Sequence, residues 1–208
     1  MKTSRDRILT THVGSLPRSD AVFQLLEARE GRKELDAEVF ERTIRQAVLD
    51  IVRRQVETGI DVVSDGETSK ISYATYVHDR LAGFSDEGSP GPSKPHLDVA
   101  AFPDFRNKMA LFTGGQRFKR VACVGPITIK DREALNRDLA NLRAAVDAAH
   151  PTEAFITAAS PGVVASFLPN KYYPTHETYI EAIAAAMRDE YAAIAGAGFI
   201  VQIDCPDL

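Results

Sequence analysis

The chain has 208 residues, 44% of them hydrophobic, with a formal charge of −4 and a sequence isoelectric point of about 5.8. That content is enough for one core of ordinary size, and so slight an acidic excess offers no field for holding nucleic acid or an anionic membrane surface. Cys123 and Cys205 stand outside any C-x-x-C pair and make no disulfide framework, which suits a reducing cytoplasm.

Met1–Thr11 is charged and polar, without the apolar stretch of a secretion signal. The longest apolar run, Ala192–Val201, contains Gly196 and Gly198 and is too short to span a bilayer. Arg7–Thr11 reads as a short β-like run leading into a loop punctuated by Gly14 and Pro17, and residues 19–29 as a short helix capped by Ser19 or Asp20. Phe40, Ile44, Ala47, Val48, Ile51, Val52 and Val56 recur at spacings of three and four, the period of an amphipathic helix. Asp36 is its expected N-cap and Gly59 its C-terminal stop.

Ile60–Glu67 then reads as a short buried strand that breaks at Gly66. The grammar recurs downstream: a helix from about His176 to Ala195, glycines at 196 and 198, the strand Phe199–Ile203, and an acid, Asp204, at its end. Between them, Arg120–Val124 reads as a strand closed by Gly125–Pro126. Asp131–Ala149 follows as a helix, and Glu153–Ala158 as a strand ending in Ala159-Ser160-Pro161-Gly162. Strands alternating with helices of this length indicate parallel βα units. Residues 83–97, rich in glycine and proline, exclude a helix and read as a long loop within a single domain spanning 1–208.

In parallel βα folds the chemistry gathers at the carboxyl ends of the strands. Position therefore selects His12, Ser15, Asp65, Glu67, Thr128, Ser160, Asp204 and Cys205. Two convergent carboxylates would suit an ammonium group, a hydroxyl or a metal. Turn-capping explains Asp65, Glu67 and Asp204 equally well, and a lone cysteine beside a buried strand is more often a small apolar filler. Cys123, in mid-strand, reads as core. His12 is either a ligand contact or a hydrogen-bonded loop histidine, and His78, His96, His150 and His176 read as structural or solvated. Lys70, Tyr73 and Tyr76 either line the same pocket or form a helix surface.

Four strings add more than spacing does. Thr10-Thr11-His12-Val13-Gly14-Ser15-Leu16-Pro17-Arg18 resembles the segment that opens the catalytic barrel of cobalamin-independent methionine synthase and its shorter relatives. Asp61–Glu67, Val124-Gly125-Pro126-Ile127-Thr128-Ile129 and Val201–Leu208 resemble later signatures of that family, in the same order. The resemblance implies the N-terminal part, about five βα units, of a (β/α)8 TIM barrel of the methionine synthase/uroporphyrinogen decarboxylase type. It implies an enzyme in which zinc activates the thiol of homocysteine for methylation from a reduced folate. By the same resemblance Ser15 helps hold the substrate carboxylate, Glu67 and Asp204 hold its ammonium, His12 lies nearby, and Gly125–Thr128 sits near the pocket floor.

Two features depart from the pattern. Cys205 stands where the family carries an acid. The shorter relatives share that departure, and they include a coenzyme M transferase whose thiol substrate carries a sulfonate. The family's zinc ligands are expected beyond Leu208, so this chain by itself is expected to bind no zinc and to be inactive. An incomplete barrel with open edges is further expected to pair with itself or with a complementing chain. A related uroporphyrinogen decarboxylase-like barrel would share the fold without all four strings.

Overall fold

The computed structural model describes residues 1–31, 33–86, 100–112 and 121–206. Helix α1 (Asp20–Glu30) and helix α2 (Ala37–Glu57) begin where the sequence supplies caps. Ser19 Oγ accepts from the Val22 amide at 3.4 Å, and the Asp36 carboxylate accepts from the amides of Glu38 and Val39 at 2.9 and 3.1 Å. These bonds satisfy N–H groups that have no partner inside the helix. Helix α2 buries Ile44, Val48 and Val52. Past its end Gly59 adopts φ +87°, a left-handed turn that favours glycine and aims the chain into strand β1 (Val62–Ser64).

Three strands form a parallel sheet in the order β1, β4, β5, where β4 is Glu153–Ala159 and β5 is Ile200–Asp204. Ser64 sits opposite Phe155 and Ala159 opposite Asp204, so the ends of all three strands point one way. Helix α5 (Glu133–Ala149) feeds β4 and helix α7 (His176–Gly196) feeds β5. Val48, Val52, Val63, Leu142, Ile156 and Ile194 meet between helices and sheet and are almost wholly buried. Burial at that level stabilises by roughly 1.5–3 kcal/mol per side chain.

The rest of the chain departs from expectation in instructive ways. Arg7–Thr11 forms no strand. Thr10 gives its carbonyl to the amides of Asp61 and Val62, but its own N–H goes to the Asp61 carboxylate at 2.8 Å, so a side chain replaces the ladder. Strand β3 (Ala122–Ile129) does not stop at Gly125–Pro126. It runs on, and it pairs antiparallel with strand β2 (Leu81–Ser85), apart from the parallel sheet. A register shift between Ala82 and Phe84 faces the proline, whose missing N–H such a bulge accommodates.

Gly83, expected in a loop, lies in β2 at φ +97°, where a Cβ would stand 2.7 Å from the Pro126 carbonyl oxygen. The remainder of the expected loop, 87–97, lies outside the described residues. Short helices α3 (Val77–Arg80), α4 (Pro103–Phe112) and α6 (Pro161–Phe167) complete the described elements. Among the described residues no helix is long and apolar enough to cross a membrane.

Candidate functional site

The end of β1 turns through two consecutive left-handed residues, Gly66 at φ +65° and Glu67 at φ +55°. Glycine adopts this freely; for Glu67 it costs about 1–2 kcal/mol and persists only when its surroundings enforce it. Here they do. Ser64 Oγ accepts from the Gly66 amide at 3.0 Å and Asp65 Oδ1 from the Glu67 amide at 2.9 Å. The Leu16 amide donates to the Gly66 carbonyl at 3.1 Å. Arg18 Nη2 donates to the carbonyls of Glu67 and Lys70, both at 2.8 Å. The segment containing Ser15 is thereby stitched onto the β1 turn.

The turn carries the Glu67 side chain into the protein, where the residue is only 3% exposed. Thr157, on β4, donates its hydroxyl to Glu67 Oε1 at 3.3 Å. Burial pushes the Glu67 carboxyl upward, Lys70 pulls it back, and the charges of Asp204 and Asp65 push it up again. The charge of Asp204 at the end of β5 therefore reaches the Glu67 carboxyl beyond the end of β1. Asp204 is half-buried, with Gln202 Nε2 donating to its Oδ1 at 3.4 Å. Asp65 is buried behind them, its carboxyl raised by burial and partly offset by Lys70.

His12 is half-buried beside this cluster. Its Nε2 lies 3.3 Å from Ser64 Oγ and its ring centroid 5.8 Å from that of Phe155. Nδ1 is buried with no hydrogen-bond partner among the described residues. Burial lowers the imidazole pKa against the pull of Asp65. Ser15 is exposed.

Other candidates take the bland role or fall elsewhere. Ser160 is the N-cap of α6, accepting from the Val163 amide at 3.1 Å. Thr128 is exposed on β3, which is no part of the parallel sheet. Cys123 is buried, with its thiol donating to the Gly125 carbonyl. Cys205 is half-buried just past β5. Tyr73 stands edge-on to Phe167, centroids 5.7 Å apart. Tyr76 is buried, its hydroxyl donating to Glu190 Oε1 at 2.7 Å and accepting from the Ala159 amide at 3.2 Å. His150 is the left-handed cap of α5, and His96 lies outside the described residues.

Two groups at the cluster escaped sequence reasoning. Thr157 is a hydroxyl within the otherwise apolar run of β4, and a polar residue at a buried strand position is the signal that could have found it. Arg18 stands in the opening string, but only the fold shows that it clamps the Glu67 turn. Among the described residues no three His, Cys, Asp or Glu side chains come together to hold a metal ion. The side chains described here thus do not fit zinc.

Fold and cluster define an α/β protein that gathers carboxylates at the carboxyl ends of parallel strands, the usual place for a small-molecule site in such sheets. Residues 8–89 match the family model described as the catalytic domain of cobalamin-independent synthase. A methionine synthase from Sulfolobus acidocaldarius is 23% identical over 198 residues, which is 95% of this chain and 51% of that protein. A 5-methyltetrahydropteroyltriglutamate–homocysteine methyltransferase from Bacillus cytotoxicus is 31% identical over 143 residues, 62% of this chain and 18% of that one.

Among solved structures, a B12-independent methionine synthase from a Shewanella species in complex with selenomethionine superposes with a TM-score of 0.68 at 21% identity. It covers 95% of this chain and 51% of that one. A putative vitamin-B12 independent methionine synthase from Listeria monocytogenes gives 0.63 at 20% identity, over 96% and 53%. Over these stretches the chain is similar to cobalamin-independent methionine synthases, and it spans about half the length of the first of these curated relatives.

Proposed function

We propose that this chain carries the amino-acid-gripping part of a methyltransferase that makes methionine from homocysteine, with a reduced folate as methyl donor, on a TIM-barrel scaffold. The observation that carries the reading is that Glu67 and Asp204 stand at the carboxyl ends of β1 and β5, on either side of β4 in one parallel sheet, near enough for the charge of Asp204 to push the Glu67 carboxyl up. Two mutually repelling carboxylates in a partly dry site are relieved by a bound cation, and the α-ammonium of an amino acid supplies one. Glu67 and Asp204 would hold that ammonium, Ser15 the carboxylate, and His12, with its buried unpartnered Nδ1, would lie at the edge of the same ligand.

The Shewanella protein was solved in complex with selenomethionine, an amino acid of this kind. A thiol bearing a sulfonate, the alternative acceptor, would place a third negative charge beside Glu67 and Asp204 and is disfavoured on that ground.

The zinc implied by the family would activate the thiol, and its ligands would have to come from outside the described residues. Parallel strand β5 carries a half-exposed Ile203, and Ile8 and Val13 are largely exposed. These surfaces support pairing with a second copy or with a complementing segment. Two free cysteines support a cytoplasmic setting. The test is methionine formation from homocysteine and methyltetrahydropteroyltriglutamate by the complete gene product, with zinc content measured on the same sample. A zinc-free product that methylates no thiol would overturn the reading.

A further inference from the structure

We infer that Lys70 and Thr157 form a positioning pair for Glu67, a buried ammonium and a hydroxyl that hold the carboxylate in one orientation for its ligand. This rests on the reading of Glu67 as an ammonium-binding group. Lys70 is among the largest fully buried side chains in the protein. Taking an ammonium out of water is strongly unfavourable unless it is matched by partners. The partners are specific. Nζ donates to the Thr157 carbonyl and lies 3.5 Å from Thr157 Oγ1, and it sits 4.4 Å from the centroid of the Tyr76 ring. Arg80 lies 4.7 Å from the same ring, and the Tyr76 hydroxyl is itself tied to Glu190 and the Ala159 amide. Lys70 is therefore clamped between β4 and a braced aromatic ring.

That clamp reaches Glu67 through one residue. Thr157 offers its carbonyl to Lys70 and its hydroxyl proton to Glu67 Oε1. A hydroxyl has one proton; spending it on Glu67 leaves its lone pairs toward the lysine, which is the polarity an adjacent ammonium favours. Lys70 is also fixed from the other side, because its amide donates to the Glu67 carbonyl at 3.0 Å and its carbonyl accepts from Arg18. Lysine and glutamate are thus two ends of one turn, and Thr157 closes the loop between their side chains. The charged groups facing Glu67 are Lys70 from its own turn, Asp65 beside it, Asp204 from β5 and Arg18 from the opening segment. Lys70 is the one cation among them held on the same threonine as the Glu67 carboxylate. A purely structural lysine would need neither the Thr157 hydroxyl nor the Glu67 carboxylate in line with it.

The test is the titration of Glu67 itself. The chain is labelled with 13C at the glutamate side-chain carboxyl, and the Glu67 resonance is assigned by its loss in Glu67→Gln. Lys70→Met should raise the Glu67 midpoint by about one pH unit or more, and the near-isosteric Thr157→Val should raise it by a smaller step in the same direction. Lys70→Arg should hold the wild-type midpoint to within about half a unit. An unchanged Glu67 titration in Thr157→Val, which keeps the volume of the core, overturns the proposal whether or not Lys70→Met folds. Adding L-methionine to the wild-type sample reads the other question separately. A downward shift of Glu67 marks an ammonium at the site, and its absence counts against the ammonium reading while the variant midpoints still decide the positioning pair.

Discussion

Replacing Arg80 by methionine should be among the most damaging single substitutions in the protein. Arg80 ends helix α3 and is almost wholly buried. Its Nη2 meets Asp138 Oδ2 of helix α5 at 2.5 Å, and its Nη1 lies 2.8 Å from Glu190 Oε1 of helix α7, an ion contact without hydrogen-bond alignment. One guanidinium thus neutralises two buried carboxylates and joins three helices. Methionine keeps much of the stem volume, so the loss is chiefly of charge. Breaking a buried ion pair by removing one partner costs about 3–5 kcal/mol, because the other charge is left uncompensated. Against a typical total of about 5–15 kcal/mol, that moves a urea midpoint by about 1–2 M.

The deficit should depend on pH with a definite sign. A carboxylate left without its cation in a dry site is relieved by taking up a proton. The folded state then binds the extra proton, and stability rises as pH falls. Urea unfolding of Arg80→Met at about pH 7.5 and about pH 5.5 should show the gap to wild type narrowing at the lower pH. A loss under about 1 kcal/mol at neutral pH, or a gap that widens on acidification, would refute the reasoning.

Three further outcomes follow from the packing. Gly83→Ala should cost about 2 kcal/mol, since the new methyl meets the Pro126 and Gly125 carbonyl oxygens at 2.7 and 2.8 Å and the backbone is left-handed; chemical denaturation reads it, and a neutral result contradicts the bulge. Leu142→Ala, at a position with no exposure, should cost about 2–5 kcal/mol by the same assay. Asp61 ties down the N-terminal segment through Arg7 and the Thr10 amide, and these bonds hold its carboxyl well below the usual range. A depressed folded pKa stabilises fully above the unfolded value of about 3.9 and is lost as pH falls below it. The advantage of wild type over Asp61→Asn in thermal melts should therefore be constant near pH 6 and shrink toward about pH 3. A pH-independent difference would contradict the assignment.

Helix periods and caps made the regular frame readable. Asp36 and Gly59 bracket α2 because capping is local chemistry, and the helix–glycine–strand grammar located β1 and β5 for the same reason. What depends on distant partners was less legible. Nothing near Arg7–Thr11 says that the Asp61 side chain will take the amide a strand would have used. Gly125–Pro126 looks like a stop because the bulge that tolerates it lies some forty residues earlier, at Gly83. At the site, Glu67 and Asp204 were visible as acids at strand ends. Thr157 and the clamp on Lys70 exist only once β4 is placed between β1 and β5. Ser160 shows the converse, since a strand-end position proved to be a helix cap.

The central claim is that Glu67 and Asp204 together grip an amino-acid ammonium, and calorimetric titration with L-methionine and with its desamino analogue tests it most directly. A charged hydrogen bond contributes about 1.5–3 kcal/mol, so Glu67→Gln or Asp204→Asn should each weaken L-methionine binding by about tenfold or more. The desamino compound should bind weakly to wild type and be indifferent to either substitution. Equal affinity of wild type and both variants for L-methionine, or preference for the desamino compound, would contradict the account.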